Sequence, residues 1–280
     1  MRVLILGASG YAGSCIRKRL KRDYPQVYGT YHRLRPEYAD DPTMFTYEMD
    51  DADRLRAILC RAEPDTVVSC LVGGFPQQLA AHREAAAYLA RKPGGRMLYL
   101  STANVFDGAA KAPHTEADAP KASSKYGQFK IACETLLRDT LGENCTIIRI
   151  PEIWGIDCPR IKKLIQEART GTPIPTYRNL YVNYTTNMQI AEWAAYILAH
   201  RLYGIFHVGT DDICEYVEFQ RNLMQALGLP APGFQTQELE PKCYQAVLPG
   251  RAEIPPAFHF SISDVIRCLA ADPPRMDGKA

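Results

Sequence analysis

The chain has no surplus of charge of either sign: 33 lysines and arginines stand against 31 aspartates and glutamates, a formal net charge of +2. This near-balance removes the electrostatic ground for expecting a nucleic acid or a membrane surface as partner, because both are held by fields of one sign. Small anions remain open to local clusters. Long apolar runs are missing as well. Val3-Leu4-Ile5-Leu6 is too short for a secretory core and runs straight into glycine, and no stretch nears the ~18 apolar residues of a membrane span. A cytoplasmic location is the expectation. The nine cysteines, an odd number scattered from Cys15 to Cys268, include no CxxC pair, which excludes a disulfide scaffold or a zinc ribbon and predicts reduced, mostly buried thiols. His82, His114 and His207 lack metal-ligand spacing, so no metal is expected. Internal repeats and low-complexity segments are absent.

What is present is a rhythm, in a chain of 280 residues that can bury a core as one large domain or two small ones. Apolar runs at Val3–Leu6, Val27–Tyr31, Met44–Tyr47, Thr66–Leu71, Met97–Leu100 and Thr146–Ile150 read as strands, with helical patterns near 12–22, 52–62, 78–91 and 124–141. Such alternation predicts an α/β fold: a doubly wound parallel sheet with helices on both faces and ligands at the carboxyl ends of the strands. After Ile150 the rhythm loosens into helices near 159–170, 187–200 and 215–227, a turn at Gly171–Pro175 and one short strand at Gly204–Val208. The expected division is a domain over 1–150 and a smaller substrate lobe over 151–280, the chain recrossing to the first domain near 178–200. The tail from Asp272 reads as frayed.

Gly7-Ala8-Ser9-Gly10-Tyr11-Ala12-Gly13 follows the first strand and opens the first helix. In that position glycines permit a tight turn, let backbone amides approach a pyrophosphate, and allow the helix to pack closely on the strand. The helix N-terminus adds positive dipole character. Gly7, Ser9, Gly10, Tyr11, Ala12 and Gly13 are therefore candidate dinucleotide contacts, although the spacing is GxxGxxG and not GxGxxG. After the second strand, where an acidic residue would bind the 2′-hydroxyl of NAD, stands Thr30-Tyr31-His32-Arg33-Leu34-Arg35. Arg33, with His32 or Arg35, suits a 2′-phosphate and favours NADP over NAD; solvated surface arginines are the alternative.

Tyr126 and Lys130 lie four residues apart in a helical pattern and so share a face. An ammonium beside a phenol lowers the phenol's pKa toward a range useful for proton transfer. The spacing alone is common and carries little weight.

Taken together, Gly7, Gly10 and Gly13, then Ser101-Thr102-Ala103-Asn104-Val105-Phe106-Asp107-Gly108, Thr115-Glu116-Ala117-Asp118, and Tyr126-Gly127 with Lys130 resemble the extended short-chain dehydrogenase/reductases, in particular the dTDP-4-dehydrorhamnose reductase group. The likeness continues through Arg149–Gly155 and Gly204–Val208. It implies a Rossmann-type NADP-binding domain, a homodimer, and a small-molecule carbonyl substrate of the nucleotide-sugar type. It assigns Thr102 to bonding the reacting oxygen, Tyr126 to giving the proton, and Lys130 to holding the nicotinamide ribose and tuning the tyrosine. By the same resemblance Asp50 lies near the adenine, with capping of the following helix by Asp50 or Asp51 as the alternative. Pro151 packs near the nicotinamide or simply ends a strand, and Cys70, Leu71 and Val72 complete the cofactor set.

Several positions depart from the family pattern. Val68-Ser69-Cys70-Leu71-Val72-Gly73-Gly74 replaces an Asn-Ala-Ala-like run, and Leu79-Ala80 stand where an asparagine is frequent. The substrate candidates Ala103, Asn104, Glu152 and Trp154 include replacements for the group's Asp-Tyr and tryptophan. Arg160, Lys162, Lys163 and Arg169 are either a diphosphate site or a solvated face, and Tyr177, Tyr181 and Tyr184 either stack on a base or pack between lobes. His82, His114 and His207 are each expected to be structural, His114 being the best candidate among them for a mobile loop over the site. An NAD-dependent epimerase or dehydratase, and a non-catalytic dinucleotide-binding subunit, remain alternatives to a reductase.

Overall fold

A computed structural model describes residues 1–33, 35–156, 158–230 and 233–271. In the first half β1 (Arg2–Leu6), β2 (Gln26–Tyr31), β3 (Met44–Thr46), β4 (Thr66–Ser69), β5 (Arg96–Thr102) and β6 (Cys145–Ile150) alternate with α1 (Tyr11–Leu20), α2 (Ala52–Ala62), α3 (Phe75–Ala90) and α4 (Lys125–Leu141). The second half runs β7 (Glu152–Ile153), α5 (Pro159–Thr170), β8 (Ile174–Val182), β9 (Tyr184–Thr185), α6 (Asn187–Ala199), β10 (Gly204–His207), β11 (Cys214–Glu215), α7 (Tyr216–Ala226), β12 (Phe234–Gln245) and α8 (Ile262–Ala271). Among the described residues no helix is long and apolar enough to cross a membrane.

Seven strands form one sheet in the order β10-β6-β5-β4-β1-β2-β3, and every pairing in it is parallel. Strands buried on both faces need continuous apolar side chains, and Val3 to Leu6 and Met97 to Leu100 supply them. One face is covered by α1 and α6 through Ile16, Leu20, Ile190, Trp193 and Ile197. The other is covered by α2, α3 and α4 through Leu55, Leu59, Ala85, Leu89, Phe129 and Leu137. In α4 the inward stripe is Lys130, Cys133, Glu134, Leu137 and Leu141, a helical spacing that carries two charged residues into the interior.

The chain returns to this sheet after residue 150. Helix α6 packs along α1, and β10 pairs with β6 from Gly204↔Thr146 to His207↔Arg149. The smaller lobe has its own core, where Trp154, Ile161, Leu164, Tyr184, Phe219 and Leu223 pack between α5, α7 and the β11-β8-β12 sheet. Strands β8 and β12 and helix α8 were not expected. Pro175 and the left-handed Asn179 (φ 60) interrupt β8 and mimic turn signals, while β12 is mostly exposed and shifts register between Glu238 and Cys243, a bulge that accommodates Pro241. The tail from Asp272 lies outside the described residues.

Because a helix and the seventh strand come from residues 187–207, a fragment ending at residue 150 is expected to show no cooperative urea transition by far-ultraviolet circular dichroism. Trp193→Ala in the full chain, emptying a site that is 1% exposed, is expected to cost about 3–5 kcal/mol in the same measurement.

Candidate active site

The glycine turn closes on itself. Gly7 has φ 80, and a Cβ on it would lie 2.8 Å from the Cys70 carbonyl oxygen, while one on Gly13 would lie 2.3 Å from that of Gly7. Both are backbone obstacles, so neither position tolerates a side chain. Gly10 starts α1 without a side-chain cap, and no acidic residue occupies the first turn; the sheet's carboxyl end thus presents a helix N-terminus of the kind that holds phosphate. Ser9 and Ala12 flank it, half-buried. Tyr11 turns elsewhere. A Cβ on Gly155 would lie 1.8 Å from its hydroxyl, so Tyr11 rests on bare backbone of the second lobe.

His32, Arg33 and Arg35 are exposed just past β2, with Arg35 Nη1 3.8 Å from Glu37. Asp51, not Asp50, caps α2 by accepting from Arg54 N at 2.8 Å, which leaves Asp50 exposed beside a pocket of about 240 Å³ with Met49, Pro76 and Gln77. Past β4, the Cys70 thiol is pushed up to about 12 by burial, the Leu71 side chain packs partly buried on the α2–α3–α4 side, and Val72 is 89% exposed. The Ser69 hydroxyl is taken by His82 Nε2 at 2.7 Å. Burial holds His82 down at about 3, hence neutral.

The carboxyl end of β5 places Thr102 at the head of a cleft of about 210 Å³ that Asn104, Tyr126, Pro151, Glu152 and Arg160 also line. Thr102 Oγ1 donates to Asn104 Oδ1 at 2.9 Å and accepts from Asn104 N at 3.2 Å. Tyr126 stands in the first turn of α4, which Ser124 caps by accepting from Gly127 N at 3.0 Å; Asp107 in turn binds the Ser124 hydroxyl. Phe75 walls the phenol, its ring 6.1 Å from that of Tyr126 and stacked on Phe129 at 4.4 Å. Lys130 donates from Nζ to the Leu100 carbonyl at 2.7 Å and lies 4.3 Å from the Tyr99 ring centroid. Ala103 is buried beneath the cleft.

The electrostatics differ from the expectation drawn from spacing. Burial raises the Tyr126 phenol, with a hydrogen bond to Thr102 pulling the other way; a depression by Lys130 is not found. The ring is 42% exposed, but its hydroxyl end sits in the cleft. Lys130 is shifted too, brought down to about 8 because its ammonium is removed from water.

Trp154, Tyr177, Tyr181, Tyr184 and His114 lie away from this cleft. Trp154 does not reach this cleft; it is 1% exposed, stands edge-on to Phe219 at 5.0 Å and lines a second pocket of about 200 Å³ with Arg160, Lys163, Tyr177, Tyr216 and Gln220. Tyr184 is fully buried on Phe219 at 3.7 Å and Tyr181 stacks on Tyr244 at 5.0 Å, so of that aromatic set Tyr177 alone lines the pocket. His114 is pinned, its ring stacked 4.1 Å from Phe106 and its amide donating to Ala246 O at 3.0 Å. Tyr216, Gln220 and Gln245 were missed, since no local pattern foretells which residues of α7 and β12 face the two pockets. Ser101 is excluded as the reacting hydroxyl because it donates to buried Glu134, which in turn pairs with Arg149 at 2.7 Å.

Residues 77–267 match the family described as RmlD substrate binding domain. A dTDP-4-keto-6-deoxy-D-glucose reductase of Streptomyces niveus is 24% identical over 196 residues, covering 65% of this chain and 68% of that protein. Among solved structures, the dTDP-4-dehydrorhamnose reductase of Bacillus anthracis in complex with NADP superposes with a TM-score of 0.76 at 17% identity, covering 95% of each chain. The Bordetella bronchiseptica enzyme WbmH in complex with NAD⁺ gives 0.80 at 17% identity over 97% of each. At such identities the structural likenesses establish the fold.

Lysine ¹³Cε chemical shifts across a pH series should place the Lys130 titration about two units below an exposed lysine in the cofactor-free protein, with the charge lost as pH rises through about 8. A normal midpoint would contradict the burial of the ammonium.

Proposed function

The chain belongs to the RmlD substrate binding domain family, within the NAD(P)-dependent extended short-chain dehydrogenase/reductases, and from that membership we propose that it is an NADPH-dependent reductase of a keto group on a nucleotide-activated sugar. The observation that carries this reading is the meeting of Thr102, Asn104 and Tyr126 in one cleft, with Lys130 buried behind them on α4 and the glycine turn at the same end of the sheet. The bare turn of Gly7 and Gly13 and the uncapped start of α1 fit a dinucleotide pyrophosphate, and Lys130 suits the adjoining ribose. The bound cofactor supplies the hydride.

Reduction develops negative charge on the carbonyl oxygen. Donors from Tyr126 and the Thr102–Asn104 pair stabilise that charge as it forms, and Tyr126 delivers the proton. Lys130 carries its charge below about pH 8 and acts on the ribose, not on the proton affinity of the phenol. The second pocket suits the nucleotide. Trp154 Nε1 and Gln220 Oε1 are buried there without a hydrogen-bond partner among the described residues, a donor and an acceptor of the kind a base edge satisfies, and Tyr177 offers a stacking face. Arg33 and His32 beside the expected ribose favour NADP.

A dehydratase or a C-epimerase acting beside the carbonyl needs a free base for a carbon-bound proton. Among the described residues the carboxylate lining the cleft is Glu152, which Arg160 holds at 3.1 Å in the free protein; Arg33 in place of an acidic residue after β2 favours the reductase.

Tyr126→Phe is expected to lower turnover of the accepted keto sugar by at least about a hundredfold while NADPH affinity, followed by fluorescence titration, stays within about twofold; unchanged turnover removes Tyr126 as the acid. Arg33→Ala should weaken NADPH by about 1–2 kcal/mol and leave NADH unaffected. NAD⁺ released from the denatured protein would favour the epimerase class instead.

A further inference from the structure

Arg160 stands between the two pockets and lines both. Its hold on Glu152 is loose. Nη1 lies 3.1 Å from Oε2 and Nη2 lies 3.3 Å from Oε1, beyond the about 2.7–2.9 Å of a well-formed charge-assisted pair. The Arg160 side chain is 49% exposed and Glu152 27%; among the described residues Arg160 has one further hydrogen bond, from Nη1 to the Ile153 carbonyl, also long at 3.3 Å. Glu152 Oε2 is buried, and among the described residues its polar neighbour is Arg160 Nη1, in an ion pair without good hydrogen-bond geometry; burial raises the carboxyl's pKa despite the arginine. An oxygen so placed is costly unless a donor reaches it. One turn along α5, Lys163 lines the second pocket as well.

Resting on the nucleotide-sugar reading above, we propose that Arg160 is a shared cation: Glu152 holds it in the free protein, and a nucleoside diphosphate draws it off, leaving Glu152 to accept a hydrogen bond from a sugar hydroxyl next to the reacting carbonyl. The direction of exchange follows from the two competitors. A diphosphate offers several charged oxygens to a planar guanidinium and permits short bidentate bonds, whereas Glu152 makes only long ones. Once released, the carboxylate remains at the cleft that Thr102, Asn104 and Tyr126 line, with Oε2 deprived of the Arg160 donor that met it. A hydroxyl on the neighbouring sugar carbon satisfies it without importing charge. Selection then acts twice, on the diphosphate and on the hydroxyl, because a site with an unpaired buried acceptor rejects a substrate that lacks the matching donor.

The competition has a signed consequence. Glu152→Gln removes the charge that holds Arg160, so binding of dTDP or UDP to the NADP⁺-loaded protein, measured by calorimetry, is expected to tighten by about three- to tenfold, while Arg160→Met weakens it by at least about tenfold. In the same Glu152→Gln protein kcat/KM for the keto sugar is expected to fall. A Glu152 that merely braces the fold would weaken both, and weaker or unchanged diphosphate binding in Glu152→Gln overturns the proposal, as does wild-type protein that binds neither dTDP nor UDP. A crystal structure of the wild-type dTDP complex decides it without a variant: Arg160 on the diphosphate supports the exchange, and Arg160 still on Glu152 refutes it. Calorimetry needs no turnover, so failure of the exchange and failure of the reductase reading are told apart.

Discussion

Glu134 and Arg149 are withdrawn from water together, with side chains 4% and 0% exposed. Arg149 reaches both carboxylate oxygens, at 3.2 and 2.7 Å, and Ser101 donates to the same group. The three residues belong to α4, β6 and β5, so one polar knot ties the helix carrying Tyr126 and Lys130 to the strand carrying Thr102. Replacing such a pair by apolar side chains is often neutral for stability, whereas deleting one partner costs about 3–5 kcal/mol. Its value here is positional: the register of α4 against β5 determines whether a phenol on the first and a hydroxyl on the second can meet one oxygen atom.

Burial of Lys130 follows from that register. The inward stripe of α4 continues through Cys133, Leu137 and Leu141, and a lysine at its start must leave water and find compensation in the Leu100 carbonyl and the Tyr99 ring. Spacing alone could place tyrosine and lysine on one helical face. It could not say that burial would raise the tyrosine and lower the lysine, because that depends on how deep each side chain lies in the packed structure.

Legibility varied in the same way along the chain. The strands through Ile150 and the helices beside them were readable because both faces of the sheet are covered, so apolar runs mark strands and amphipathic spacing marks helices. Gly7 and Gly13 were readable because contact with neighbouring backbone excludes every other residue. Strand β12, largely exposed and interrupted by Pro241, carries no such periodicity. Nor could a basic face on α5 reveal that Arg160 would turn to Glu152 while Arg169 stays exposed. Sequence-local chemistry was legible where one element supplied it; sites shared by residues far apart in the chain were not.

The late arrival of β10 bears on how the protein is made. Synthesis at ~5–20 residues per second delivers β6 several seconds before the strand that pairs with it, and any sheet assembled in that interval carries Thr146 to Ile150 as an open parallel edge whose outer face α6 has not yet covered. An apolar edge of this kind invites pairing with another nascent chain. The molecule is thus most exposed to aggregation during translation, between emergence of β6 and docking of α6 and β10, and a pause or truncation in that window would trap the sheet with an unpaired margin.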